Sequence, residues 1–278
     1  MAVLRPKNVN IQLLACLVDE DDTNDSDYRF LADGQRARYV TTAPGTFVGA
    51  EDDRTFEPIL LGELFPPFPS GSWNQGHVAK DTATGETAFV KTETVQLAGV
   101  KNIWHPVKLN EFDFTQQHRI RQRVRVATHP ELNNGKPVLM KLAVWPWEIA
   151  SMEVETTAYQ FIDGRSIGPK FLGHVTEGND GRVVGFIIEW VQDARAAGLE
   201  DIESCKMALG RLHKLNIKSG DINKHNFLVR DGQDTVLIDF ETAEFGCSPE
   251  ELDLETGTLE HTLQDKSSRG GVEPHREQ

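Results

Sequence analysis

The sequence predicts an α+β protein, in which antiparallel strand pairs are combined with a small number of helices. Residues 77–79 and 87–91 are rich in Val, Ala and Thr and flank a turn at Gly85, a pattern typical of a hairpin. Two other segments, residues 147–162 and 199–215, repeat their apolar residues at helical spacing. Hairpins together with separate helices predict the α+β class.

The elements after this hairpin follow from turn residues and periodicity. Asn134-Gly135 and the polar segment 178–181 are turn signals that join two further strand pairs. The first helical segment ends at Gly168-Pro169, and the second carries a clear apolar stripe. In chain order we expect strands at 121–127 and 137–144, a helix at 147–162, strands at 170–175 and 183–190, and a helix at 199–215.

The composition predicts that the main folded region begins near residue 70. Residues 11–18 suit a buried strand, but residues 19–27 carry six acidic side chains, so we interpret residues 1–69 as a partly ordered extension. The Pro- and Gly-rich segment 66–72 is typical of a linker or of a rigid loop. Residues 248–278 are acidic and polar, and we expect them to form a disordered tail.

Charge and cysteine content exclude several classes of protein. The net charge of -14 over 278 residues argues against a general nucleic-acid binder and against binding to an anionic membrane. No apolar run approaches the roughly 20 residues that cross a bilayer. Cys16, Cys205 and Cys247 lack C-x-x-C spacing, so neither a disulfide framework nor a zinc site is indicated. We expect a reduced compartment, the cytoplasm or the nucleus.

The candidate chemistry lies in residues 218–241. Asp221 and Asn226 are separated by four residues, and Asp239 ends an apolar run at 236–238. Phosphoryl transfer needs a group that orients or deprotonates the attacking hydroxyl, and oxygen ligands for Mg²⁺. Asp221 can serve as the first, and Asn226 and Asp239 as the metal ligands. Each residue alone could instead be a turn or capping residue, but the combined spacing favours a site.

Lys141 is a second candidate, because it is the only charged residue in the apolar run 138–144. A buried lysine is costly unless it is paired, so we expect a carboxylate partner on the following helix, or nucleotide phosphates. We choose Glu155 over Glu153, since Glu155 continues towards the apolar side of the helix. The alternative is a lysine that extends from an edge strand into solvent.

These motifs resemble the catalytic core of the protein-kinase-like superfamily. The motifs V-L-M-K at Lys141, the helix with Glu155, I-I-E-W-V at 187–191, G-D-I-N-K-H-N at 220–226 and I-D-F-E at 238–241 occur in its order. Only about 40 residues follow Asp239, so the chain looks more like compact atypical kinases of the RIO type, or like small-molecule kinases of the aminoglycoside and choline type. The stretches W-N-x-G and I-W-H-P are similar to those of uncharacterised fungal kinase-like proteins.

The resemblance covers about residues 70–245 and implies a bilobal kinase-like fold. Its N-lobe, residues 70–191, would hold a small antiparallel sheet and one helix, and residues 192–247 would form a reduced helical C-lobe. ATP and Mg²⁺ are the implied cofactors. Nucleotide would bind in a cleft at Glu189 and Val191, with Lys141 and Glu155. Lys224 would assist Asp221 by neutralising charge on the transferring phosphoryl group, although a solvated loop lysine is the alternative.

Three departures from the superfamily pattern concern activity. No glycine-rich loop precedes Lys141, so Arg119, Arg121 or Arg123 would have to bind phosphates with their side chains. Ser219 stands where the superfamily usually has His, and Glu241 stands where it has the Gly of D-F-G.

The sequence therefore supports more than one function. The first is an ATP- and Mg²⁺-dependent phosphotransferase that acts on a hydroxyl group of a protein or small molecule. The second is a pseudokinase scaffold that binds nucleotide or a protein partner without catalysis, and the third is an ATPase that drives a conformational step. The retained Lys, Asp, Asn and Asp residues favour activity over a scaffold.

Overall fold

The protein is an α+β chain of two compact units, seen here in a computed structural model that describes residues 7–47 and 51–265. The first unit ends at Leu97 and the second begins at Ala98. The predicted start of the folded domain near residue 70 is therefore wrong. No helix among the described residues is both long and apolar enough to cross a membrane.

The first unit is a five-stranded sheet with short helices between its third and fourth strands. The sheet runs in sequence order, and its pairs are antiparallel except for the parallel pair of the third and fourth strands. The predicted hairpin is present as the last two strands. The elements are β1 (Ile11–Leu17), β2 (Ser26–Ala32), β3 (Arg36–Thr42), α1 (Glu51–Thr55), α2 (Glu57–Ile59) with a π-helical turn (Leu60–Leu64), β4 (Gln75–Lys80) and β5 (Thr87–Glu93).

The described residues 7–47 and 51–69, interpreted from composition as a partly ordered extension, instead belong to this sheet, its helices and its core, and the Pro- and Gly-rich segment 66–72 is a loop that packs on that core. The acidic run forms the connection between β1 and β2, in which the Asp19 carboxylate accepts the N–H groups of Thr23 at 2.7 Å and Asn24 at 2.9 Å. Acidic residues here act as turn formers. The Pro-rich segment buries aromatic rings, because Phe65 packs edge-to-face on Phe30 at 5.1 Å and Phe68 stacks on Trp73 at 6.0 Å.

The second unit contains a six-stranded mixed sheet, two smaller sheets and three helices of more than ten residues. Its 3₁₀ turns include Pro146–Glu148, Leu199–Asp201 and Lys224–Asn226. The strands and helices are β6 (Lys108–Asn110), β7 (Thr115–Arg121), β8 (Val124–Thr128), β9 (Val138–Leu142), α3 (Ile149–Ile162), β10 (Phe171–Thr176), β11 (Val183–Glu189), β12 (Arg195–Ala196), α4 (Ile202–His213), β13 (Ile217–Lys218), β14 (Phe227–Val229), β15 (Val236–Leu237), β16 (Glu244–Phe245) and α5 (Pro249–Gln264).

The large sheet has the order β6-β10-β11-β9-β8-β7, which places β9 between two antiparallel neighbours. Phe186 of β11 lies opposite Lys141 of β9, and Gly185 lies opposite Leu142. A Cβ atom on Gly185 would lie 2.1 Å from the carbonyl oxygen of Lys141, so this register requires glycine. The smaller sheets are β12-β14-β15 and β13-β16.

Helix α3 covers the large sheet through residues three or four positions apart. Met152, Tyr159 and Ile162 are buried in the main core, and the Tyr159 ring contacts Phe186 at 5.2 Å. Each fully buried large apolar side chain contributes about 1.5–3 kcal/mol relative to exposure. Glu155 is buried on the same face, which requires a partner for its carboxylate.

Residues 249–264, predicted to be disordered, form helix α5. Ser248 and Glu251 make a capping box, and Pro249 occupies the first turn. Leu259 and Leu263 belong to the main core. The apolar residues are sparse, so composition alone conceals this amphipathic helix. Residues 266–278 of the predicted tail lie outside the described part of the chain.

Candidate functional site

Lys141 is the centre of a buried charge cluster in the second unit. It lies on a central strand and is 7% exposed. Its Nζ atom lies 2.7 Å from a carboxylate oxygen of each of Glu155, Asp239 and Glu241. The predicted pairing of Lys141 with Glu155 is present, and the alternative of a lysine extending from an edge strand is wrong. Three carboxylates meet the requirement that a buried ammonium be paired.

The two glutamates of α3 that the sequence offered as partners have different positions. Glu155 is fully buried and faces Lys141, and its Oε1 atom also accepts the N–H of Phe240 at 3.3 Å. Glu153 faces away and accepts the N–H groups of Lys101 at 2.6 Å and Asn102 at 2.8 Å. Glu155 therefore links α3 to both β9 and the segment after β15.

The protonation of the cluster is set by burial and by opposing charge. Burial alone would lower the pKa of Lys141, but the carboxylates of Glu155, Asp239 and Glu241 outweigh it and raise that pKa. Burial also raises the pKa of Glu155, against the opposing effect of Lys141. Lys141 thus remains charged at neutral pH.

Arg123 extends the cluster from the turn directly before β8. Its guanidinium lies 3.2 Å from Glu241 and 3.5 Å from Glu148, and it donates to the carbonyl of Leu142 at 3.0 Å. Four carboxyl groups therefore face two basic side chains. The carboxylates of Glu155, Asp239 and Glu241 can each place one oxygen within 4.8 Å of the others, which is a possible oxygen-ligand set for a hard divalent cation.

Asp239 is held in a left-handed backbone conformation, with φ of 65°. Such a conformation at a non-Gly residue costs of order 1–3 kcal/mol and needs support from its surroundings. The N–H of Ile238 donates to the Asn226 carbonyl at 3.0 Å, and the N–H of Phe240 donates to Glu155. These contacts hold the backbone on either side of Asp239.

The loop 219–226 lies beside this segment. The Asn226 side chain is buried and donates to the carbonyl of Asp221 at 2.8 Å. Asn223 donates to a carboxylate oxygen of Asp221 at 3.2 Å and caps the following 3₁₀ turn. The loop is therefore closed by its own amide side chains, and Asp221 is only half-buried.

A cavity of about 360 Å³ joins the charge cluster to an apolar surface. This volume lies within the range of small-molecule sites. Its apolar walls come from residues on or next to β8, β9 and β11 of the large sheet and from the β14–β15 hairpin. The wall residues are Val124, Leu139, Ile188, Val191, Leu228 and Ile238.

The cavity brings together most of the predicted site residues. Asp221 and Lys224 are not among its lining residues. The Lys224 Nζ atom donates to the carbonyl of Asp265 at 2.8 Å, a contact that points to a structural role. The predicted residues that do line the cavity are Lys141, Glu155, Glu189, Val191, Asn226 and Asp239.

Sequence reasoning did not identify Glu241 and Arg123 as members of the cluster. Glu241 was noted only as a replacement for glycine, and Arg123 only as a possible phosphate ligand. A signal was available for Glu241, because it follows Asp239 by two residues, with only the apolar Phe240 between them. Arg121 and His225 also line the cavity.

No protein-family model matches this chain, and no curated protein matches it in sequence.

Proposed function

We propose that the second unit is an ATP- and Mg²⁺-dependent phosphotransferase of the kinase-like type, which transfers the γ-phosphate to a hydroxyl acceptor on a protein or small molecule. The observation that carries the proposal is the ion-paired set of Lys141, Glu155 and Asp239 on the wall of an apolar cavity. A phosphotransferase needs a cation for phosphates and an oxygen ligand for Mg²⁺ beside a site for the base.

The order of the elements supports the same function. A sheet containing β9, helix α3 and strand β11 comes first, and helix α4, the loop 219–226 and the β14–β15 hairpin follow. This is the order of the kinase-like core that the motifs resemble. In the proposed bilobal arrangement, residues 98–191 form the small lobe and residues 192–265 the reduced helical lobe.

The cavity offers a surface suited to a nucleotide base. Val124, Leu139 and Leu228 provide apolar contacts, and the chain after β11, from Glu189 to Val191, borders them with backbone groups. Polar groups at one edge of an apolar pocket fix the orientation of a planar ligand. The base would lie on these walls, with the phosphates directed towards Lys141.

Arg121 is the residue we assign to the phosphates in place of a glycine-rich loop. It lies at the end of β7 and lines the cavity, and its positive charge contributes to lowering the pKa of His225 after burial and Lys224. Guanidinium groups bind phosphates through paired N–H donors. A side chain would thus perform the role that backbone amides perform in a glycine-rich loop.

Asp239 and Asn226 would hold Mg²⁺, which would neutralise charge on the phosphates and between the carboxylates. Two unit charges about 4 Å apart repel by about 4 kcal/mol at an effective dielectric constant near 20. Asp239 belongs to the cluster with Glu155 and Glu241, and the ligand atoms of this cluster are all hard oxygens, which Mg²⁺ prefers. Asp221 would accept the proton of the attacking hydroxyl, with Asn223 orienting its carboxylate.

A second candidate is a nucleotide-binding or partner-binding scaffold without catalysis. The specific observation in its favour is that Lys141 contacts both Asp239 and Glu241 at 2.7 Å. These contacts occupy the groups that phosphate and Mg²⁺ would use. Glu241 would be the residue that keeps the site closed to the metal.

Thermal unfolding with and without metal separates the two candidates. At about 100 times its dissociation constant, a ligand stabilises the folded state by about 2.7 kcal/mol, so the unfolding temperature of the second unit should rise with millimolar MgATP. The phosphotransferase requires a shift that EDTA removes. A shift of equal size in EDTA supports the scaffold, and no shift in either condition contradicts both nucleotide-binding functions.

A further inference from the structure

A second cavity lies wholly within the first unit, at the end of its sheet where β1 begins and β2 turns into β3. Its volume is about 430 Å³, which is within the range of small-molecule sites. One wall is the Pro- and Gly-rich segment at 67–71, and charged side chains of the β2–β3 turn and of β3 line the rest. All of its lining residues fall between residues 8 and 71, so this cavity is separate from the one at Lys141.

Arg38 places a buried charge in this cavity. It is 5% exposed. Its Nη1 atom donates to the carbonyl of Trp73, its Nη2 atom donates to the carbonyl of Gly71 at 2.7 Å, and its Cζ atom lies 4.0 Å from the centre of the Trp73 ring. These two hydrogen bonds use two of the five N–H donors of a guanidinium. Within the described part of the chain its hydrogen bonds and its ring contact are to neutral groups, although a buried charge is costly unless it is paired.

The charges around Arg38 do not balance. Arg36 precedes it by two residues on β3, so both side chains lie on the same face of the sheet. Burial and the positive charge of Arg36 lower the pKa of Arg38, and Asp33 opposes this shift without cancelling it. The Asp33 carboxylate already accepts a hydrogen bond from the Asn10 amide at 2.7 Å. The described lining therefore carries two positive charges and one negative charge, which one monoanion would balance.

The wall at 67–71 is preformed and largely apolar. The N–H of Phe68 donates to the side-chain oxygen of Asn8 at 3.0 Å, and the indole N–H of Trp73 donates to the carbonyl of Pro69 at 2.9 Å. Pro67 and Pro69 have no backbone N–H to offer. Charged hydrogen-bond donors for an anion therefore come from the arginines, whereas this wall supplies apolar surface.

We propose that this cavity binds a small organic monoanion, a carboxylic acid with an apolar body. Arg38 and Arg36 hold the carboxylate, because a guanidinium presents paired N–H donors that match two carboxylate oxygens. The segment 67–69 contacts the apolar body. A phosphate group carries about -1.5 to -2 charge at pH 7, which exceeds the charge of the lining, and Asp33 would repel it. The site shares no residue with the cavity at Lys141, so its ligand does not depend on the function proposed there.

Calorimetric titration of the full chain tests the ligand class with three probes: phenylacetate, its neutral analogue phenylacetamide, and inorganic phosphate. We expect phenylacetate to bind at least about 10-fold more tightly than either of the others. Arg38→Lys keeps the charge but loses the paired donors, and should weaken phenylacetate binding by at least about 10-fold.

Two substitutions at exposed positions keep the test independent of whether Arg38→Lys folds. Asp33→Asn retains an oxygen for the Asn10 amide and suits the left-handed backbone, with φ of 53°. Loss of its negative charge should tighten phenylacetate binding by about two- to fivefold, and Arg36→Gln should weaken it by about the same factor. Asp25→Asn is the matched control, because Asp25 is exposed beside the opposite end of β2 and does not line the cavity. It should bind phenylacetate as wild type does.

Three results would overturn the carboxylate site. The first is the absence of phenylacetate binding by wild type in the millimolar range. The second is binding of phenylacetamide or phosphate as tight as that of phenylacetate. The third is phenylacetate binding that Asp33→Asn and Arg36→Gln leave unchanged, or that Asp25→Asn changes as much as Asp33→Asn does, since the anion would then not be held at this cavity.

Discussion

Lys141 and Asp239 lie 98 residues apart in the chain, and the ammonium nitrogen of one is 2.7 Å from a carboxylate oxygen of the other. The contact forms because β9 is central in its sheet and because Asp239, two residues after the end of β15, adopts a left-handed conformation. In the proposed function, phosphate would bind the Lys141 ammonium and Mg²⁺ would bind the Asp239 carboxylate. Under the proposed function, nucleotide binding would have to rearrange this ion pair.

Glu155→Gln should reduce phosphotransfer by about tenfold or more, because Lys141 would lose its link to α3 and be held only by the acidic segment at 239–241. Steady-state kinetics with MgATP measure the effect. Glu153→Gln is the matched control, since it removes the acceptor of the Lys101 and Asn102 amides and leaves Lys141 untouched. Equal losses in the two variants would show that α3 acts only through its stability.

Arg121→Ala should raise KM for MgATP by about 10-fold while changing kcat less, because the proposed phosphate contact contributes to binding. Arg119→Ala on the same strand is the control. Arg119 donates to the carbonyls of Arg121 at 3.2 Å and Gln122 at 3.1 Å and does not line the cavity. A KM that rises equally in both variants would assign the effect to the hairpin backbone instead of the Arg121 guanidinium.

His174 should make the second unit less stable in acid. It is fully buried on β10 and accepts the N–H of His105 at 3.2 Å. Burial lowers its pKa to about 4, from 6.5, with His105 and Lys108 adding to the shift. Between these values the unfolded chain binds a proton that the folded chain does not, so the free energy of unfolding falls as pH falls, by up to about 3 kcal/mol.

Urea unfolding at pH 7 and pH 4.5 measures this loss, followed by helical circular dichroism because α3, α4 and α5 all belong to the second unit. His174→Gln, whose amide oxygen can still accept the His105 N–H, should reduce the pH dependence. His261→Gln, at an exposed position on α5, should leave the pH dependence as in wild type. A wild-type chain equally stable at both pH values would contradict the assignment to His174.

Local patterns predicted several elements of the second unit. The strands around Lys141, helix α3 and helix α4 follow from short apolar runs, turn residues and helical spacing. The pairing of Lys141 with Glu155 followed from one physical rule, that a buried charge needs a partner. Strand β7 was missed because its sequence, Thr115–Arg121, is polar and exposed and pairs only with β8.

The errors of the sequence reasoning concern long-range structure. Composition predicted a partly ordered extension for the acidic residues at 19–27, yet Asp19 closes the turn between the paired strands β1 and β2. Helix α5 has few apolar residues, and its buried Glu255 gains its meaning only from contacts with a loop 35 residues earlier. Periodicity cannot reveal pairing between segments so far apart.

The most direct test is release or transfer of phosphate from MgATP by wild type, Asp239→Asn and Asp231→Asn. Asp239→Asn removes the charge of the proposed metal ligand, whereas Asp231 is exposed in the turn between β14 and β15. We expect turnover by wild type and Asp231→Asn, and a loss of at least about 100-fold in Asp239→Asn. Turnover that is unchanged in Asp239→Asn, or absent from the wild-type chain, would contradict a phosphotransferase at this site.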